Sequence, residues 1–331
     1  MGYAKLNKIT AILLVALITA GLFMASLLVG PADINIGSIF DYFCGKYNPV
    51  IHLRFMRACM AVISAAGLSA AGVLLQGLLR NPLAGPYILG ISAGSAIGAV
   101  GAICCGFGTA FIFLPVPMVC AFIGAILTII VVYRLALKDG NLSVQNLILA
   151  GIAVNALLSS VLLFAIYASR NEAINGIIWW LLGSLQVFDM RIVLFSGGIV
   201  SSAILLAVPL TKELNAVSIG DDLATYVGIR VEWIKTIFFV LSGIMTAAVV
   251  SSVGMIGFVG LVIPHITRKL FGPDIRVLLP ASIVIGSGFL LIADMMCRIV
   301  FIPAELPIGI VTSLVGAPFF IFILIITRKG S

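Results

Sequence analysis

Ionisable side chains are scarce in this chain, with 12 acidic and 19 basic residues among 331, so each one inside an apolar stretch is a candidate for chemistry. Asp294 and Arg298 lie four residues apart, on one face of a helix. There they can pair and offset a burial cost of about 2.5–3.5 kcal/mol each at the membrane midplane. Such a pair serves local structure, or it leaves Arg298 at the outer surface to meet an acidic partner. Gln145 and Asn155 are the polar candidates on another apolar segment; they can line a pore or hydrogen-bond between helices.

Reactive constellations are missing. No GxxxxGK[ST] phosphate loop occurs, and the Gly45-Lys46 pair runs into Tyr47, so ATP is not bound through that motif and energy must come from outside. His52 and His265 are the two histidines, and they fall on opposite expected sides of a membrane. That leaves no histidine cluster for a metal and no Ser-His pair for hydrolysis. His265 follows Pro264, where a capping role at a helix end is expected. Cys44, Cys59, Cys104, Cys105, Cys120 and Cys297 show no CxxC spacing and read as small packing residues. No catalytic residue, cofactor site or metal site is expected. An ion-coupled secondary transporter would need intramembrane carboxylates, and Asp294, with an arginine nearby, is the one that qualifies. The net charge of +7 comes without basic runs interleaved with aromatics, which argues against nucleic acid as a partner.

The elements that position these residues must sit in lipid. The chain is 62% hydrophobic and 9% charged, against about 25% charged in soluble domains, so membrane lipid has to cover it. A crossing helix needs roughly 20 apolar residues, and the charge-free intervals Ile9–Gly30, Ala58–Leu79, Asn141–Ser169, Ile192–Thr211, Val277–Arg298 and Leu306–Thr327 supply one each. The uncharged stretch between Arg80 and Arg134 divides into two at Pro115, Pro117 and the Gly106–Gly108 turn. Thr236–Thr267 also holds two, turning near Ser251–Gly254, because Lys235 before it and Arg268 and Lys269 after it both favour the cytoplasm. In GFVGLVIPHITRKLFGPDIRVLLP, Gly257 to Pro280, the basic turn closes a helical hairpin at that surface.

The expected fold is therefore all-α: one polytopic domain over residues 1–331, about ten transmembrane helices, both termini cytoplasmic. The basic ends Lys5, Lys8, Arg328 and Lys329 agree with that orientation, and Lys46, Arg54, Arg57, Arg170, Arg191 and Arg298 fall outside. The first apolar segment is longer than a signal-peptide core of about 7–15 residues and is read as a retained helix. Ala173–Val187, with Trp179 and Trp180, is too short to span and reads as an interfacial or re-entrant helix.

Glycines set the packing. Gly67, Gly72 and Gly77, and the GxxxG series Gly90, Gly94 and Gly98, let helix backbones approach closely. Asn81-Pro82 and Gly85-Pro86 interrupt the helix at membrane depth, which is tolerated in protein or beside a water-filled path. The longest hydrophilic segment, Thr211–Lys235, repeats Gly220, Ala224 and Gly228 beside Asp221 and Asp222. This predicts a short surface helix whose small-residue face could insert into a cleft on another protein.

Three segments carry a resemblance in order and spacing: LLQGLLRNPLAGPYILGISAGSAIGA (Leu74–Ala99), Gly257–Pro280 as quoted above, and AELPIGIVTSLVGAPFFIFIL (Ala304–Leu324). Across essentially its whole length the chain resembles the FecCD-type permeases of iron-siderophore, haem and cobalamin ABC importers. The resemblance implies a subunit of the cytoplasmic (inner) membrane that pairs with a second permease copy. It further implies cytoplasmic ABC ATPase subunits, an extracytoplasmic substrate-binding protein and inward passage of an iron(III)-siderophore, with cobalamin, haem or molybdate as alternatives. It assigns Gly220, Asp221, Ala224 and Gly228 to ATPase coupling, Val144 and Gln145 to the cytoplasmic gate on the path-lining helix, and Arg54, Arg57 and Arg298 to docking of the binding protein.

Overall fold

The structure is a computed structural model that describes the backbone of residues 2–107, 110–111 and 114–329. The side chains of Lys5, Arg328 and Lys329, and Gly108 of the expected turn, lie outside the described residues. The described chain forms helices α1 (Gly2–Leu28), α2 (Ile36–Phe43), α3 (Pro49–Leu78), α4 (Ile91–Cys104), α5 (Val116–Ala136), α6 (Val144–Tyr167) and α7 (Asn171–Leu182). It continues as α8 (Met190–Ala207), α9 (Thr211–Ile219), α10 (Asp221–Tyr226), α11 (Val231–Val253), α12 (Val259–Phe271), α13 (Ile275–Ile299) and α14 (Ile308–Lys329). A 3-10 turn at Pro86–Leu89 precedes α4. A two-residue hairpin, Leu137–Lys138 against Asn141–Leu142, joins α5 to α6, turning on Asp139 and Gly140 at positive φ as tight hairpins favour.

Helices occupy each of the ten expected positions. Seven are long and apolar enough to cross a membrane by themselves, whereas α4, α12 and the described side chains of α14 fall short. At 14 residues, α4 covers about 21 Å of a hydrocarbon layer about 30 Å thick. The irregular backbone between Asn81 and Gly90 precedes it. The later part of that segment packs on protein: a Cβ on Gly90 would sit 3.1 Å from the amide nitrogen of Asn155, and Pro86 packs on Gly260.

α3 begins well before the expected Ala58, because Asn48 caps it by accepting from the backbone of Val50 and Ile51, with Pro49 in the first turn. Arg54 and Arg57 are thereby helical residues. The expected turn at Ser251–Gly254 is present, with α11 ending at Val253 and Gly254 at φ +73°. His265 does not cap a helix end. It lies inside α12 with both ring nitrogens unpartnered, and the Lys8 ammonium instead donates to the last carbonyl of that helix, Phe271.

Packing follows side-chain size. α3 is rich in Ala, Gly and Ser and is the most enclosed long helix, while α1, α5, α6 and α8 carry exposed leucines and isoleucines around the perimeter. At Gly72 the backbones of α3 and α12 touch: a Cβ there would stand 1.8 Å from the carbonyl oxygen of Gly260. Gly94 and Gly98 press α4 against Gly124, Thr128 and Cys120 of α5 in the same way. Charges gather at the two ends of the bundle. The expected outer end holds Arg54, Arg57, Asp294, Arg298 and Glu305, and the expected cytoplasmic end Arg80, Asp221, Glu232, Lys235, Asp274 and Arg276.

Because the atom facing Gly72 is backbone rather than a flexible side chain, Gly72→Ala is expected to destabilise the protein by about 1–3 kcal/mol. Thermal unfolding in detergent checks this, with Gly21→Ala, at a site open to its surroundings, expected to leave stability near the original.

Candidate functional site

The three arginines of the expected docking set come together at the outer end. Asp294 is fully buried and accepts from two of them, Arg57 Nε at 2.6 Å and Arg298 Nη2 at 2.7 Å. Arg57 also reaches Glu305, Nη1 to Oε2 at 2.5 Å. Arg298 turns inward rather than projecting outward, donating to the carbonyls of Ser26 and Val29, and Arg54 donates to those of Leu27, Leu28 and Ala32. These carbonyls belong to the final turn of α1 and the chain just beyond it. They lack helical partners there, and guanidinium donors satisfy them while opposing the negative end of the helix dipole.

Around this network lies a cavity of about 260 Å³ lined by Arg54, Arg57, Arg298, Glu305, Gln186 and Phe188. Three arginines line or back it against two carboxylates, Glu305 on its lining and Asp294 behind, so its net charge is positive and favours an anion. The sequence points to the arginines and to the Asp294–Arg298 pair. It does not point to Glu305, which approaches Arg57 only after the chain leaves α13 and turns back toward α14.

A second cavity, of about 550 Å³, is bordered by Tyr87 of the 3-10 turn, Leu181 and Leu182 at the end of α7, Met255 and Gly257 between α11 and α12, and Gly309, Ile310, Ser313 and Leu314 in the first turns of α14. The Tyr87 hydroxyl donates to the carbonyl of Ile256. The end of α7, the end of α11 and the start of α14 meet through backbone, with Ser184 N–H donating to Val253 and Ile308 N–H to Gly183. The Asn81–Gly90 interruption thus borders an open space. Asn155 of α6 abuts Gly90, whereas Val144 and Gln145 stand at the N-terminal start of α6, Val144 half-buried and Gln145 exposed.

The surface segment differs from expectation in which face it offers. α10 spans Asp221–Tyr226; Gly220 precedes it, Gly228 lies beyond it at φ +84°, and Ala224 is fully buried. Of the small residues only Ala224 faces inward, where α9 and α10 pack against the bundle, while Gly228 is exposed. Ile219, Leu223, Tyr226 and Val227 are exposed instead, Tyr226 to 91%. Apolar residues in a segment too polar to span were the legible signal for this face.

Asp221 fixes that surface. Its carboxylate meets the Arg80 guanidinium at the end of α3 and the Lys235 ammonium on α11, the latter at 2.6 Å. Burial raises the Asp221 carboxyl, but hydrogen bonding and charge attraction from Lys235 and Arg80 outweigh it and hold the group below its ordinary range. Arg80 also donates to Val217 of α9. Asn215 of α9 bridges to α13, donating to Asp274 and accepting from the amide of Ile275. Hydrogen bonding from Arg276, opposed by burial, brings the Asp274 carboxyl down to about 2.

The profile of the FecCD transport family matches residues 14–326. A cobalamin import system permease protein of Halobacterium salinarum is 39% identical over 82% of this chain and 72% of its own length. A hemin transport system permease protein of Yersinia pestis is 35% identical over 84% of each. A solved structure described as an inward-facing, metal-chelate type ABC transporter is 30% identical, covers 94% of this chain and 96% of its own, and superposes with a TM-score of 0.82.

Asp294→Ala leaves two buried guanidinium groups without their shared carboxylate, and is expected to cost about 3–5 kcal/mol. The expected readout is a lowered unfolding temperature with increased protease sensitivity near Ser26 and Val29, whose carbonyls Arg298 holds. Glu305→Gln, at a partly exposed carboxylate, is expected to cost under about 1 kcal/mol.

Proposed function

The chain belongs to the FecCD transport family and is the membrane-spanning permease subunit of an ABC importer of the metal-chelate, haem and cobalamin type; we propose that the cargo it passes inward is an iron(III)-siderophore complex. Its relatives include cobalamin and hemin permeases, and the solved neighbour is of the metal-chelate type, so a chelated metal is the class they share. In this reading residues 1–331 are one domain of about ten crossings in the cytoplasmic (inner) membrane, with both termini cytoplasmic, and two copies form the path.

One observation carries the partner assignments: the two polar ends of the bundle offer opposite kinds of surface. At the outer end three arginines surround a cavity with an excess of positive charge. Acidic residues of an extracytoplasmic binding protein are received in that cavity, rather than by three freely projecting side chains, and the planar fork of arginine suits them. At the cytoplasmic end α9 and α10 present Ile219, Leu223, Tyr226 and Val227, an apolar knob for a groove on the ATPase. Asp221, Gly220, Ala224 and Gly228 shape and brace the knob, and Leu223 and Tyr226 make the contact. ATP hydrolysis in the partner moves this knob, and the helices rock between outward and inward openings. The path runs beside α6, past Asn155 and the cavity at Tyr87, to the gate at Val144 and Gln145.

Uptake of labelled ferric siderophores, haem, cobalamin and molybdate by cells lacking the protein, with and without complementation, tests the cargo. Restoration of ferric-siderophore uptake alone is expected; restoration of another cargo instead overturns that choice. An Arg54, Arg57, Arg298 triple-alanine variant is expected to lower uptake at least about tenfold, which corresponds to 1.4 kcal/mol. ATPase recovered with the variant separates lost docking from lost folding. Leu223→Asp with Tyr226→Asp is expected to abolish co-purification of the ATPase while leaving the membrane-inserted protein folded.

A further inference from the structure

The knob on α10 is wired to the start of α6 by a continuous run of charged contacts. Asp221 opens α10, and its Oδ2 accepts from Lys235 Nζ at 2.6 Å. Lys235, which is 95% buried by its 5% relative exposure, donates again at 2.9 Å to Glu232 Oε1, one turn earlier on α11. The other oxygen of Glu232 accepts the backbone N–H of Leu142. Leu142 is buried and ends the hairpin between α5 and α6; Ser143, next in the chain, caps α6 by accepting from the amide of Asn146. Val144 and Gln145 form the first turn beyond that cap.

Each joint suits transmission of movement better than it suits stability alone. A buried lysine shared by two carboxylates is costly to separate from them, because it would be left as an unpaired charge. The carboxylate of Glu232 also lies at the positive end of the α6 dipole, where a negative charge is favoured. The hairpin is two residues per strand with a two-residue turn, leaving little slack between Leu142 and α6.

We infer that Lys235 and Glu232 are positioning residues that join α10 to the N-terminus of α6, so that displacement of the ATPase-docking knob carries Val144 and Gln145 with it as one body. This rests on the reading of α10 as the ATPase contact. The link converts a movement at the cytoplasmic surface into a movement of the helix beside the path.

Spin labels on one protomer of the intact complex with its ATPase, in a background without the six native cysteines, test the link. One pair joins Thr225 on α10 to Gln145 on α6; a reference pair joins Thr225 to Tyr47 at the outer end. Distances are measured without nucleotide and after trapping with ATP and vanadate. In the otherwise unaltered protein the Thr225–Gln145 distance is expected to hold within about 2 Å, the scale of small helix shifts, while the reference distance changes. In Glu232→Gln and in Lys235→Met, with ATPase still bound, trapping is expected to change the Thr225–Gln145 distance as well. A Thr225–Gln145 distance that shifts as much as the reference pair without those substitutions, or that stays fixed in both variants, overturns the link. A reference distance that ignores nucleotide, or ATPase still bound after Leu223→Asp, overturns the coupling reading instead.

Discussion

Asp294 has no exposed surface, and two arginines from different parts of the chain converge on it. Removing any one member of this buried set would leave an uncompensated charge in the protein, so the three are held as a unit. The geometry of one fixes the others. Arg57 ties α3 to α13, and Arg298 ties α13 to the end of α1. Three membrane helices are thereby set in height relative to one another at the outer end. The same network leaves guanidinium surface facing a cavity, so the device that holds the helices together also gives that end its positive character.

The cytoplasmic end is organised differently. Among the described residues there, the bonds run as a series through Arg80, Asp221, Lys235 and Glu232, with Asp221 partly exposed where Asp294 is fully enclosed. A buried hub resists displacement, whereas a series of contacts near the surface passes displacement along. Between the two ends, glycine contacts such as Gly72 with Gly260 and Gly94 with Gly124 hold helices close without polar groups. With lipid in place of water there is no hydrophobic drive between helices, and close van der Waals packing takes its role.

Much of this was legible in the sequence. Charge-free intervals located the helices, and the positive-inside bias separated α11 from α12 within one apolar interval. The Asp294–Arg298 spacing predicted a bond that is present. What the sequence hid is long-range. Arg57 and Asp294, and Arg57 and Glu305, are separated by more than two hundred residues, and no local periodicity links such positions. The inward turn of Ala224 was also hidden, because a small residue suits a smooth external face and a tight internal contact equally well. His265 was misplaced for a simpler reason: Pro264 signals a helix break in water, but in α12 the chain continues through it, as membrane helices allow when neighbours satisfy the freed backbone.

Gly183, Gly254 and Gly309 meet with almost nothing but backbone between them; a Cβ on any of the three would fall 2.2–2.5 Å from a carbonyl oxygen. The frame at this junction is therefore closed to variation in side-chain size. Any widening or narrowing of the adjoining space that keeps the fold falls to the side chains that line it, such as Tyr87, Leu181, Leu182, Met255, Ser313 and Leu314. In a lineage of such proteins, divergence in the dimensions of the space would be confined to a few side chains hung on an invariant aperture.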